Sequence, residues 1–337
     1  MASIFSFLVI IYLIKSVHGI GFPYCQGQYA VNAPNCGQFD FRRIPTATCA
    51  PIPIQQVENS ASELPESIRR LILSITNVFE NFQVSLDYPF CRNIKDGLGF
   101  TCGYAGFTTA NGDALMVIEE YLRMLNNTVT DGPFGKYISE LRHLADPNDC
   151  ISVKGDVSKL RGFPIAWRQA SCDPLFRRAQ DRVGHRRYIV PAMNLAWEVG
   201  IRSNLGKAIF YDTAVQHGHD VDDGISLRTL IKMTGSLNIT EAEYLDRFLK
   251  LRRKMLCCFP NTVWPATADR ISDFTNLLQS GNLQLSTPVR LISYQHQLTG
   301  QERLDTTCIS DSTSFRDNIY SFKALIMVWA IWDFLRL

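Results

Sequence analysis

The sequence predicts a mainly helical α+β fold from the spacing of its apolar residues, while its size and charge bound what that fold can be. Apolar residues recur at helical spacing in five separate segments, whereas only Phe100 to Phe107 carries the threonine and aromatic content of short strands. A chain of 337 residues with 46% hydrophobic residues also has enough apolar side chain for one large core or two modest ones. Lys plus Arg number 34 against 32 Asp plus Glu, with no basic run, so nothing in the charge points to a nucleic-acid partner.

An apolar run from Ile4 to Ile14, followed by Lys15 and by Val17, His18 and Gly19, has the layout of a signal peptide over 1–19, cut before Ile20. It is too short for a membrane anchor. Ten cysteines and the sequons at Asn126 and Asn238 agree with secretion, because an oxidising compartment forms disulfides and glycosylates loops. No repeated C-x-x-C occurs, so the cysteines read as disulfide partners and not as metal ligands. Cys25, Cys36 and Cys49 precede Ala50, so at least one of them pairs further along the chain or stays free. Cys91 and Cys102 bracket one turn and are candidates to staple it, while adjacent Cys257 and Cys258 are harder to place.

Residues 20–57, rich in Gly, Pro, Asn and Gln, predict an irregular disulfide-tethered arm ahead of a main domain over 58–299. After Pro65, a residue suited to a first helical turn, Ile68, Leu71, Ile72, Ile75, Phe79 and Phe82 form a helical stripe. Glu80 falls near the end of that helix, where the dipole and any burial disfavour a charged carboxylate, the condition a general acid needs. The glycine-punctuated turn Lys95 to Thr101 presents Asp96 and leads into the short strands. Thr109 or Asn111 then caps a helix with Leu115, Ile118, Leu122 and Leu125 on its apolar face and Asp113 in its first turn. Two carboxylates on separate elements at one cleft suit glycoside hydrolysis, one protonating the leaving oxygen and the other activating water.

Three later stripes each carry a charge where a core residue belongs. Asp212 lies among Leu205, Ala208, Ile209 and Val215; Arg252 among Leu245, Phe248, Leu249 and Leu256; Arg270 one turn before Phe274, Leu277 and Leu278. Buried charges need partners, so one acid and two inward arginines predict a buried ionic network. His217, His219, Asp220, Asp222 and Asp223 crowd one loop, but position twelve from Asp220 is Ile231 and no His-x-x-x-His pair occurs, so no metal or other cofactor is expected. Residues 300–337 form an extension in which Ser310 to Ser314, a spacer and the apolar run Ala324 to Trp332 have the layout of a GPI-anchor signal; Asp333 and Arg336 count against it, and a packed terminal helix is the alternative.

The run Phe79 to Leu115, with DGLGFT and GFTTANGDAL, the segment AIFYDTAVQHG over 208–218, and Gly281 to Leu283 resemble the chitosanases of glycoside hydrolase family 46. The resemblance spans about Pro65 to Tyr294. It implies a lysozyme-like architecture of two mostly helical lobes, a small antiparallel sheet in the minor lobe and a substrate cleft between them. It further implies that Glu80 is the general acid, Asp96 the general base and Thr101 a holder of the attacking water, with inversion at the anomeric carbon. Asp113 matches a carboxylate that binds a glucosamine unit, and His217 a histidine of the cleft wall. Asp212, Arg252 and Arg270 match an ion network tied to the catalytic base. The implied activity is endo-cleavage of β-1,4 linkages in chitosan, or partly deacetylated chitin; the protein is expected to be secreted, as a monomer.

Phe90, Arg92 and Leu98 stand where the family often has a tyrosine, a glutamate and an arginine, so some acidic contacts to a cationic sugar are missing. Two alternatives stay open: a glycan-binding relative without turnover, and a hydrolase of chitin or cell-wall glycan.

Overall fold

The computed structural model describes residues 24–30, 33–39, 41, 63–95, 97–126, 132–146, 155–219, 225–260 and 263–304. The signal segment, Asp96, Asp220, Asp222, Asp223 and the tail beyond residue 304 lie outside the described residues. The described residues all belong to one compact unit.

Within this unit the buried side chains form two cores. The larger gathers around α1 (Glu66–Asn81), whose residues Leu71 to Phe79 are buried on every side, beyond the one-sided stripe read from the sequence. Pro65 occupies the N-cap and not the first turn, and its carbonyl accepts from Arg69 N. The helix stops at Phe82, which adopts φ 56°, while the Asn77 side chain bonds forward to the carbonyls of Gln83 and Ser85. That exit turns the chain sharply after Glu80.

The smaller core contains a three-stranded antiparallel sheet, β1 (Cys91–Asn93), β2 (Phe100–Cys102) and β3 (Phe107–Thr108), in that spatial order. Cys91 faces Cys102 in register and the two form a disulfide, as their spacing anticipated. Helices α2 (Asp113–Met124), α3 (Gly135–Ala145) and α4 (Phe163–Ala170) complete this lobe with α5 (Pro174–Gly184). Its centre is aromatic: Phe134, Phe163, Trp167 and Phe176 are fully buried, with Trp167 and Phe176 edge to face at 4.9 Å. The segment joining the lobes is locked at one atom, the Tyr88 carbonyl, which accepts from Trp167 Nε1, Ser171 Oγ and Gln180 Nε2.

From α5 the helix continues through a π-helical turn (His185–Ile189) into α6 (Val190–Val199). Its first half buries Phe176, Ala179 and Val183 in the smaller core, and its last part buries Ala192, Met193 and Ala196 in the larger. Pro191, the second residue of α6, has no N–H for the preceding turn, a defect that the widened turn accommodates. The larger lobe is finished by α7 (Asn204–His217), α8 (Leu227–Thr234), α9 (Glu241–Cys258), α10 (Val263–Ala266), α11 (Asp269–Gln279) and a hairpin, β4 (Val289–Leu291) with β5 (His296–Leu298). A capping box at Thr240 and Glu243 starts α9. Asn126 and Asn238 are both exposed, as sequons require.

The arm is irregular where it is described, with single helical turns at Gly27–Tyr29 and Cys36–Gln38. Cys25 pairs with Cys257 and Cys36 with Cys258, so the adjacent cysteines fasten the arm to the end of α9. Among the described residues no helix is long and apolar enough to cross a membrane.

Candidate active site

Glu80 sits in the last turn of α1 with its side chain 18% exposed. Arg270 of α11 donates to its Oε1 at 2.8 Å and lies 3.3 Å from Asp212 Oδ1, while Arg252 donates to Asp212 Oδ2 at 2.7 Å. Asp212, Arg252 and Arg270 are almost entirely buried, so the network read from three inward-facing charges exists. Four charges sum to zero, which is what makes so much buried charge tolerable. Burial works against the Arg270 charge, but Asp212 and Glu80 together hold the guanidinium above its ordinary value. Arg252 is pulled below its ordinary value, chiefly by burial, with Asp212 opposing.

The network also reaches Glu80 directly, through the Arg270 guanidinium, a contact the sequence reading does not include. A contact between residues 190 apart leaves no local signal in the sequence.

Asp96 lies outside the described residues, but the hairpin that carries it is defined on both sides. β1 and β2 are in register from Cys91–Cys102 to Asn93–Phe100, and Lys95 N donates to Asn93 Oδ1. Gly99 adopts φ 76°, and a Cβ there would meet Thr109 Oγ1 at 2.3 Å, so no other residue fits without a shift. Thr109 uses that hydroxyl to accept from Phe100 N, tying the turn to the sheet rather than capping a helix. Thr101 is fully buried beside this turn, its Oγ1 without a hydrogen-bond partner among the described residues. Arg92 is exposed, whereas Phe90 and Leu98 are half-buried.

Asp113 opens α2, but Gly112 and not Thr109 or Asn111 is the N-cap, and no side chain caps the helix. The Asp113 carboxyl is buried and paired with Arg187 at 2.7 Å. Burial pushes it up from the usual carboxylate range, and Arg187 pulls it back. Arg187 comes from the π-helical turn and was missed in the sequence, although a carboxylate buried at a helix start calls for a cation.

His217 ends α7 and is 5% exposed. Its Nε2 accepts from Arg252 Nε at 3.4 Å and its ring lies 4.8 Å from that of Trp264. Burial first, then Arg252 and Arg270, hold the imidazole well below its usual range, so it is neutral. The expected histidine of the cleft wall is thus packed within the ionic network, with little surface for a ligand. Trp264 and Gln216, which accepts from Arg252 Nη2 at 2.7 Å, were not singled out in the sequence. The structure thus brings Glu80, Asp212, His217, Arg252 and Arg270 into one contact network, and Asp113 and Thr101 onto the sheet-bearing lobe.

The model of glycosyl hydrolase family 46 matches residues 74–289. A chitosanase of Bacillus subtilis strain 168 is 34% identical over 247 residues, 70% of this chain and 86% of that protein. The crystal structure of native chitosanase from Bacillus subtilis MY002 is similar with a TM-score of 0.61 at 34% identity, covering 70% of this chain and all of that one. The complex of a Gynuella sunshinyii chitosanase with chitotetraose has a TM-score of 0.63 at 32% identity, covering 72% and all of the two chains. The helical architecture with its small antiparallel sheet is accordingly the lysozyme-like fold. This chain belongs to glycosyl hydrolase family 46.

Proposed function

We propose that this protein is a secreted, endo-acting chitosanase that cleaves β-1,4 linkages between glucosamine units with inversion of configuration. Membership of the family and the chitosanase relatives support hydrolysis of a glucosamine polymer, as do related structures with chitotetraose and with 6 GlcN. One observation carries the assignment of the acid. Arg270 fixes one oxygen of Glu80, and the side chain keeps a face to solvent at the end of α1.

In this reading Glu80 protonates the glycosidic oxygen while Asp96, on the β1–β2 turn, deprotonates water on the opposite face of the sugar. An inverting pair stands roughly 6.5 to 9.5 Å apart to admit that water. The orphaned Thr101 hydroxyl is suited to orient it. Asp113, held by Arg187 at the start of α2, is assigned to the substrate side, and His217 serves it indirectly, by backing the network beneath Glu80. The leader layout over 1–19, the exposed sequons and the disulfides support secretion, of a monomer in this reading, and the tail layout leaves two fates, a GPI anchor at the cell surface or a packed terminal helix.

The test is release of reducing ends from chitosan by Glu80→Gln and Asp96→Asn, with the product anomer read by NMR. Each variant should lose at least about a thousandfold in kcat while keeping the wild-type circular dichroism, and wild type should yield the inverted anomer. Near-wild-type turnover by either variant defeats the assignment. Exposed Arg92 favours a second reading, a glycan-binding protein without turnover; binding of glucosamine oligomers without hydrolysis by wild type would establish it.

A further inference from the structure

The arm over 24–41 lies wholly outside the matched family segment 74–289, yet its contacts lead to the candidate acid. Its two disulfides close on the final residues of α9, the helix that also carries Arg252. At 1.5 Å rise per residue, Arg252 is about 8 Å along the helix from Cys257. Arm residue Phe41 packs on Phe259 at 5.0 Å, Phe259 stacks on Trp264 at 3.9 Å, and Trp264 lies 4.8 Å from His217. The Cys25 sulfur itself lies 3.6 Å from the Pro265 carbonyl of α10.

A second path leaves the same short helix. The Trp264 carbonyl accepts from Thr267 Oγ1, that hydroxyl accepts from Gln216 Nε2, and Gln216 Oε1 accepts from Arg252. Both routes end on Arg252, which shares Asp212 with Arg270, and Arg270 holds Glu80. The imidazole rests against the Trp264 indole, whereas the amide is held through Thr267 by the Trp264 backbone carbonyl, so the position of the short helix sets both.

We propose that the disulfide-anchored arm is part of the catalytic apparatus, pressing Trp264 against His217 and so holding the Arg252–Asp212–Arg270 network in register beneath Glu80. Trp264 is then a positioning residue for the hydrolysis. It acts through the network and touches no substrate. The inference rests on Glu80 as the proton donor. A displacement of the acid by a fraction of an ångström lowers the rate of the chemical step and leaves polymer binding intact.

Four full-length variants test it: Trp264→Ala, Trp264→Phe, the quadruple C25A/C36A/C257A/C258A, and Leu141→Ala in the aromatic lobe as a destabilised control, since Leu141 is fully buried in the smaller core. All are assayed on chitosan at a temperature where circular dichroism shows each one folded. Trp264→Ala and the quadruple variant should lose roughly tenfold or more in kcat with KM within about twofold. Trp264→Phe should recover to within roughly threefold of wild type, and Leu141→Ala should keep wild-type kcat. Wild-type kcat in Trp264→Ala or in the quadruple variant overturns the proposal, and so does a kcat loss in Leu141→Ala matching theirs. Glu80→Gln in the same assay separates the two readings: if it stays active the acid is wrongly assigned, and if it is dead while the arm variants are unimpaired only the strap is wrong.

Discussion

Arg252→Met keeps an apolar stem, leaves the place of the guanidinium empty and removes the 2.7 Å partner of Asp212. Asp212 keeps only Arg270, at 3.3 Å, and that arginine is shared with Glu80. Breaking a buried pair from one side costs about 3 to 5 kcal/mol, because one charge stays behind in a medium that solvates it poorly. Asp212→Asn should cost a similar amount, since Arg252 is then left with Gln216 and the neutral His217. The double variant removes one charge of each sign and leaves the Arg270–Glu80 pair standing. Its cost should therefore fall at least about 2 kcal/mol short of the sum of the singles. Urea unfolding followed by far-UV circular dichroism, with disulfides intact, measures all three. Additivity within about 0.5 kcal/mol would refute the idea of one charge-balanced unit.

Two further outcomes follow from the site. His217 is held neutral in the fold, whereas the unfolded chain takes up a proton near pH 6.5, so stability is full above that pH and is lost as pH falls below it; calorimetry between pH 7 and 5 should show a slope component of up to about 1.4 kcal/mol per pH unit that His217→Gln lacks, and an unchanged slope would show that this histidine is not the proton acceptor. Gly99→Ala should lower stability by roughly 2 kcal/mol, from its φ of 76° and the clash with Thr109 Oγ1, and a melting temperature equal to wild type would show that the turn yields freely.

The sequence made the periodic elements legible: α1, α2, α7, α9 and α11 stand where apolar spacing put them, because each buries a stripe long enough to be read. It also exposed Asp212, Arg252 and Arg270, since a charge on an apolar face violates the pattern that surrounds it. The pairing of Arg270 with Glu80 and of Arg187 with Asp113 was not legible, because those contacts are set by how helices far apart in the chain pack. The fate of Cys257 and Cys258 was hidden for the same reason, their partners being 232 and 222 residues away. The cap of α2 was misread because Asn and Thr beside a glycine satisfy the same local rule, and the sheet claimed the Thr109 hydroxyl first.

The rod over residues 174–199 enters both cores, and its hydrogen-bond ladder is widest at 185–189. A rod anchored at both ends bends most readily where its hydrogen-bond ladder is widened, and here that place is the turn 185–189. The same joint carries Arg187, the counter-ion of Asp113. Bending at this turn would therefore pull on that ion pair, and in the proposed function, where Asp113 serves the substrate side, it would couple the set of the rod to the hold on a glucosamine unit.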